Sequence, residues 1–198
     1  MRSAELAAVI GMGVTLLWLA GCATTAGHGS ATTRATGPQF EQALGLMHAQ
    51  HYSAAIAPLQ TLVKAQPTLT VAVLNLAIAQ ARSGNDAQAE PLLRQVLAQN
   101  PGNAVAWNEL GMLQRRGGQF TAAREAYEKS IAADAEYADA QLNLAILYDL
   151  YLQQPAPAVP HYRRYQALAA SPDKRVALWI AELSKTAAVQ SSKGVSQP

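Results

Sequence analysis

The sequence is poor in cysteine, aromatic residues and charge. Of its 198 residues, one is cysteine, 6% are aromatic and 14% are charged. A single cysteine excludes an intramolecular disulfide and a cysteine-ligated zinc or iron–sulfur site. Fifteen basic residues against thirteen acidic ones give a net charge of +2, so nucleic acid is not an expected partner. The shortage of aromatic residues, together with abundant alanine, favours closely packed helices over a β-sheet.

Residues 1–21 have the layout of a secretory signal, with Arg2 followed by an apolar stretch from Leu6 to Ala20. That stretch is shorter than the roughly 20 residues of a membrane-spanning helix, so we expect cleavage. The segment Leu19-Ala20-Gly21-Cys22 resembles the lipobox of bacterial lipoproteins. The resemblance implies that Cys22 is the first mature residue and carries a lipid, with palmitate-type acyl chains. An ordinary signal peptide with a chance cysteine, or an uncleaved anchor, is the alternative.

The residues after Cys22 bear on the membrane location of the protein and on the segment that links Cys22 to the rest of the chain. Ala23 and Thr24 follow the cysteine, whereas an Asp in the first of these positions retains many lipoproteins at the inner membrane. The resemblance therefore implies the periplasmic face of the bacterial outer membrane. Residues 22–37 are mostly small and polar and have no apolar periodicity, which predicts a flexible tether.

A period of 34 residues runs through the middle of the chain. It relates Pro67 to Pro101, and it recurs in three further sets of positions: Ala55, Ala89 and Ala123; Leu76, Leu110 and Leu144; Ala43, Ala77, Gly111 and Ala145. Such a period indicates stacked helical units, none of which can bury its apolar face alone.

The third unit resembles the tetratricopeptide repeat pattern through Trp107, Leu110, Gly111, Ala123 and Tyr127. The resemblance implies an all-α superhelix, with Trp107 and Tyr127 between the helices of this unit. The predicted repeat domain spans 38–189, with repeats at about 36–69, 70–103, 104–137 and 138–172, then a capping helix over 172–189. Residues 190–198 are polar, which predicts a disordered tail.

The turns inside the repeats differ from one another. Gly84 and Gly118 occupy the place that requires positive φ after a first helix. The first repeat has Gln50 there, so we expect another residue among 49–51 to make the turn. The fourth repeat has one extra residue before Ala158, which predicts a distorted turn.

In this family the first helices line a concave groove that holds a segment of another protein. Mapping that rule onto the sequence gives these groove residues: Phe40, Met47, Val71, Arg82, Val105, Asn108, Met112, Arg115, Arg116, Asp139 and Asp149. Other apolar positions on the same helices belong equally well to the core. The three arginines could contact an acidic partner segment or simply complement the helix dipole.

Catalytic chemistry is not expected. His48 and His51 are three residues apart, but two ligands without a third are not a metal site, and no glycine-rich phosphate loop follows a strand. We therefore predict no enzyme activity, cofactor, metal or small-molecule substrate.

These features predict a lipid-anchored scaffold that binds a partner protein and assembles a complex in the bacterial cell envelope. Pilus-assembly lipoproteins of the type IV or Tad kind are similar in combining a lipobox with such repeats. An accessory of a TonB-ExbB-ExbD type system, or a regulator of cell-wall enzymes, is the alternative.

Overall fold

The computed structural model describes residues 31–171 and 173–194, and describes side chains over 37–171 and 173–186. Cys22, the predicted signal peptide and most of the predicted tether lie outside the described residues. Within the described part the fold is all-helical, as predicted, and its helices stack as a superhelix of antiparallel pairs.

Nine helices follow one another along the described chain, and a π-helical segment extends the seventh. Their bounds are α1 Ala31–His48, α2 Tyr52–Ala65, α3 Thr70–Arg82, α4 Asp86–Gln99, α5 Ala104–Arg116, α6 Phe120–Ala133, α7 Ala138–Ile146, the π-helical segment Leu147–Tyr151, α8 Pro155–Leu168 and α9 Lys174–Gly194. The repeats are the pairs α1/α2, α3/α4, α5/α6 and α7/α8, and α9 packs on α8.

Both ends of the domain differ from the sequence-based boundaries. Helix α1 already begins at Ala31, six residues before a break at Gly37, where φ is 68° and ψ is 178°. At the other end α9 starts at Lys174, where the Asp173 carboxylate accepts a hydrogen bond from the Arg175 backbone N–H at 2.8 Å. Helix α9 continues to Gly194, so residues 190–194 are helical and not part of a disordered tail.

The turns after the first helices share one geometry in repeats one to three. Gly84 and Gly118 have φ values of 82° and 73°, which confirms their predicted role. Gln50 has a φ of 59°, so the expectation that a neighbouring residue would replace it was wrong. The next N–H, that of His51, donates to the carbonyl of Leu46 at 2.8 Å, the bond that closes a helix end of this type. The hydrogen-bonded end of α1 requires this conformation, at a cost on the order of 1 kcal/mol for a side-chain-bearing residue.

The fourth repeat takes up its extra residue in the π-helical segment. The N–H of Leu152 donates to the carbonyl of Leu147 at 3.0 Å, five residues back instead of the usual four. The left-handed residue then falls on Gln153, with a φ of 52°. The predicted distortion of this turn is therefore one wide turn of helix, in which Leu150 and Tyr151 are exposed.

Small residues bring the two helices of each repeat together. In repeat three, Gly111 faces Tyr127, whose side chain is fully buried; a Cβ built on Gly111 would lie 2.6 Å from a ring carbon of Tyr127. Tyr127 therefore packs between the helices as predicted. Trp107 is only half-buried: its indole N–H donates to the carbonyl of Pro101 at 2.8 Å, and the Lys129 ammonium lies 4.6 Å from the ring centroid.

Candidate protein-binding face

The first helices of the repeats form one continuous face. Helix α1 contacts α3, α3 contacts α5, and α5 contacts α7, so these four helices lie side by side. We call this surface the first-helix face; it corresponds to the predicted concave groove. The stacking arises because the apolar stripes of neighbouring repeats bury one another.

The beginning of the first-helix face is more buried than the sequence suggested. Phe40 is 5% exposed and packs in the core with Ala43, Leu59 and Leu76, so its assignment to the groove surface was wrong. The Phe40 side chain packs against α2 and α3 and is not available to a partner. Met47 and Val71 are half-buried against the same cluster and keep part of their surface exposed.

An ion pair between an exposed arginine and a buried glutamate connects the second and third repeats at the middle of the face. The Arg82 guanidinium contacts the Glu109 carboxylate at 2.9 Å, and the exposed fractions of the two side chains are 33% and 5%. Burial raises the pKa of Glu109, while the nearby Arg82 opposes that rise. The second carboxylate oxygen, Oε2, is buried and has no hydrogen-bond partner among the described residues. Sequence reasoning did not select Glu109, although its position matches Asn75 and Asn143 in the 34-residue period.

An amide pair connects the third and fourth repeats. The Asn143 Nδ2 group donates to Asn108 Oδ1 at 2.9 Å, and Asn108 is only 2% exposed. Asn108 is therefore a structural contact between repeats and not a groove surface residue as predicted. The neighbouring Tyr137 hydroxyl has its pKa raised, first by burial and then by the Asp139 and Glu109 carboxylates. Val105 and Met112 are half-buried beside this pair.

The three predicted arginines do not form one cluster. Arg116 binds Asp86 at the start of α4 through two hydrogen bonds, of 2.9 and 2.6 Å, which lower the pKa of the Asp86 carboxyl. Arg115 instead lies over the ring of Tyr151, with its guanidinium carbon 5.4 Å from the ring centroid. Arg82 is held by Glu109. Two of the three arginines, Arg82 and Arg116, are thus paired with carboxylates of the protein, and Arg115 is not.

The two predicted aspartates of the fourth repeat have different surroundings. Asp139 is exposed in the first turn of α7 and is available to a partner. Asp149 is half-buried and accepts a hydrogen bond from the Tyr162 hydroxyl at 3.1 Å. Of the predicted set, the residues with surface left on the first-helix face are Met47, Val71, Arg82, Val105, Met112 and Asp139.

No group of three His, Cys, Asp or Glu side chains that could hold a metal ion occurs within the described residues. None of the helices described is both long enough and apolar enough to cross a membrane.

Four stacked helix pairs with small residues between the paired helices define a helical-repeat solenoid. The tetratricopeptide repeat family model matches residues 40–104, 74–138 and 108–174. The chain therefore belongs to the tetratricopeptide repeat family, as its sequence pattern predicts. No curated protein matches the chain.

Several solved structures share this fold. PilF of Pseudomonas aeruginosa is 21% identical, covering 77% of this chain and 69% of its own, with a TM-score of 0.67. MamA of Desulfovibrio magneticus RS-1 is also 21% identical, covering 66% of this chain and 73% of its own, with a TM-score of 0.59. YrrB, described as a TPR protein with an unusual peptide-binding site, is 17% identical over 73% of each chain, with a TM-score of 0.59. At these identities the likeness establishes the fold alone.

Proposed function

We propose that the protein is a non-enzymatic, lipid-anchored adaptor of the bacterial cell envelope. It binds a segment of a partner protein on the first-helix face and thereby assembles or localises a multiprotein complex of the pilus or secretion type. The observation that carries the proposal is the continuous first-helix face, which crosses four repeats and presents apolar and charged surface together. The fold shared with PilF and with a peptide-binding repeat protein supports it.

The first-helix face suits an extended or helical protein segment better than a small molecule. Its exposed surface is spread over several helices, from Val71 in repeat two to Asp139 in repeat four. Half-buried apolar side chains such as Met112 provide contact area, and the exposed Asp139 provides orientation and specificity. Since the face is built from packed helices, binding does not require the domain to refold.

The proposed anchor is the lipid on Cys22, which would hold the domain at the periplasmic side of the outer membrane. One acyl chain binds a bilayer only marginally, whereas several chains anchor a protein stably. Growing cells with labelled palmitate should label the native protein and leave the Cys22→Ser variant unlabelled, as an uncleaved or mislocalised precursor. Recovery of Cys22→Ser in the outer-membrane fraction at mature mass would contradict the lipoprotein assignment.

Site-specific photo-crosslinking in intact cells tests the binding face. A photoreactive residue at Asp139 should give a covalent adduct with an envelope protein, identified by mass spectrometry. The same residue at Glu125, which is exposed on the second helix α6, is the matched control and should give no such adduct. If Glu125 captures the partner and Asp139 does not, partner binding takes place on the outer helices and the proposed face is wrong.

A further inference from the structure

The wide turn of the fourth repeat creates an exposed patch that the other repeats lack. Leu150 is 66% exposed and Tyr151 is 44% exposed, although both are large apolar side chains. The corresponding positions of the first three repeats are His48-Ala49, Arg82-Ser83 and Arg116-Gly117, which are small or polar. Large apolar surface at this place is therefore a feature of one repeat and does not follow from the repeat pattern.

The patch has a defined composition, which we call the edge patch: Arg115, Phe120, Leu150 and Tyr151. The Tyr151 ring lies 5.3 Å from the Phe120 ring, centroid to centroid, and is covered on one side by the Arg115 guanidinium. Phe120 is itself supported by the buried Leu144 and Leu147 cluster. These contacts hold the aromatic surface in one orientation, so a ligand would meet a preformed site.

The guanidinium of Arg115 in the edge patch is not paired with a carboxylate among the described side chains. Arg82 and Arg116 each contact a carboxylate, but Arg115 has none within 4 Å among the side chains the structure describes. Its Nε group is buried and has no hydrogen-bond partner in that part of the chain. The aspartate closest in sequence to Leu150, Asp149, already accepts a hydrogen bond from Tyr162. A carboxylate from outside would therefore complement Arg115, with apolar surface next to it.

We propose that the edge patch docks a segment of a partner protein in which a carboxylate side chain lies beside a large apolar side chain. The carboxylate pairs with Arg115, and the apolar side chain packs on Leu150 and Tyr151. This inference rests on the proposed adaptor function, and it adds a second contact site at the carboxyl ends of α5 and the extended α7, separate from the exposed residues named above for the first-helix face. An apolar anchor with one oriented charge is a common arrangement at the centre of protein interfaces.

Selection from a phage-displayed library of random peptides tests the edge patch with a defined probe. The full chain in lipid nanodiscs is the bait, and empty nanodiscs remove lipid binders. We expect the selected peptides to be enriched in Asp or Glu next to Leu, Phe, Tyr or Trp. Binding of a selected peptide should weaken about tenfold with Leu150→Ser, because a largely exposed apolar contact is lost.

The matched control is Leu178→Ser, since Leu178 is 71% exposed on α9, away from the edge patch, and should leave binding unchanged. Replacing the peptide's carboxylate by its amide should weaken binding to the native chain about fivefold. The same replacement should leave binding to the Arg115→Gln variant unchanged. That coupling identifies Arg115 as the carboxylate partner even if Arg115→Gln is less stable. Circular dichroism verifies the fold of each variant.

Two outcomes would overturn the inference. If peptide binding survives Leu150→Ser but is lost with Val71→Glu, the partner segment lies on the first-helix face, so the adaptor function stands and the edge patch is wrong. If no acidic-apolar peptide is enriched, the edge patch has no such ligand. The crosslinking from Asp139 tests the adaptor function separately, so the two failures are distinguishable.

Discussion

Replacing Gly111 by alanine should destabilise the protein, although alanine is the better helix former. The added Cβ would lie 2.6 and 2.7 Å from two ring carbons of Tyr127, well inside van der Waals contact. Tyr127 is fully buried, so its ring has no free space to enter. Overpacking of this kind costs up to about 3 kcal/mol, and the gain in helix propensity returns about 1 kcal/mol. The expected net loss is about 2 kcal/mol in the free energy of unfolding.

Urea unfolding followed by circular dichroism measures this loss. With a slope of about 2 kcal/mol per molar urea, the midpoint should fall by about 1 M. The control is Gly45→Ala in α1, where an added Cβ has no atom within 4 Å and the midpoint should rise slightly. If Gly111→Ala unfolds at the same urea concentration as the native chain, or a higher one, the steric argument is wrong.

A second-site change should recover part of the loss. Repeats one and two have an alanine opposite a leucine at these two positions, as Ala43 with Leu59 and Ala77 with Leu93. The double variant Gly111→Ala with Tyr127→Leu recreates that pairing in repeat three. We expect its loss in the free energy of unfolding to be smaller than the sum of the losses of the two single variants, since the two residues are in direct contact.

Two further predictions concern single polar side chains. The folded-state pKa of Glu109 is raised above its ordinary value of 4.5, so at this residue the folded chain binds more protons than the unfolded chain, and the contribution of Glu109 to stability falls as pH rises. Glu109→Gln should therefore gain stability relative to the native chain as pH is raised from 4 to 7 in a series of urea titrations; a difference independent of pH would contradict this. Gln50→Gly should stabilise the protein by about 0.5 to 1 kcal/mol, because glycine adopts positive φ without strain. His48→Gly, inside α1, should lower the thermal midpoint instead, and a loss of stability in both variants would show that the turn is unstrained.

The sequence period predicts most of the fold because each repeat must bury the same stripe against its neighbours. The pairing of helices, the glycine turns at Gly84 and Gly118 and the burial of Tyr127 all follow from it. Gln50 was missed because a glycine was expected where the chain only requires a positive φ. The extra residue before Ala158 predicted a distortion, but its form as a π-helical turn depends on hydrogen bonds that no spacing reveals.

The candidate site was less predictable, because the sequence gives a residue's helix position and not its partner. Phe40 is an apolar residue on a first helix, and only the packing of α1 on α2 places it in the core. In the sequence Arg116 is not distinguishable from the other two arginines. Only the folded structure shows that the turn before α4 places Asp86, 30 residues earlier in the chain, next to Arg116. Glu109 was not selected because its partner, Arg82, lies 27 residues earlier in the chain. The 34-residue period relates equivalent positions of the repeats and does not predict contacts at that separation.

The ion pairs of α5 also affect the mechanics of the stack. The Arg82–Glu109 ion pair connects α5 to α3, and the Arg116–Asp86 ion pair connects α5 to the start of α4. Helix α5 is therefore linked to both helices of the preceding repeat. In a linear array of repeats, a small rotation between two neighbouring repeats displaces the far end of the array by an amount proportional to its distance. We expect the junction between repeats two and three to resist such rotation, because two ion pairs cross it. Because Glu109 is buried and the Asp86 side chain is partly exposed, we expect raised salt concentration to weaken the Arg116–Asp86 pair more than the Arg82–Glu109 pair, and the compliance of the domain to change with ionic strength.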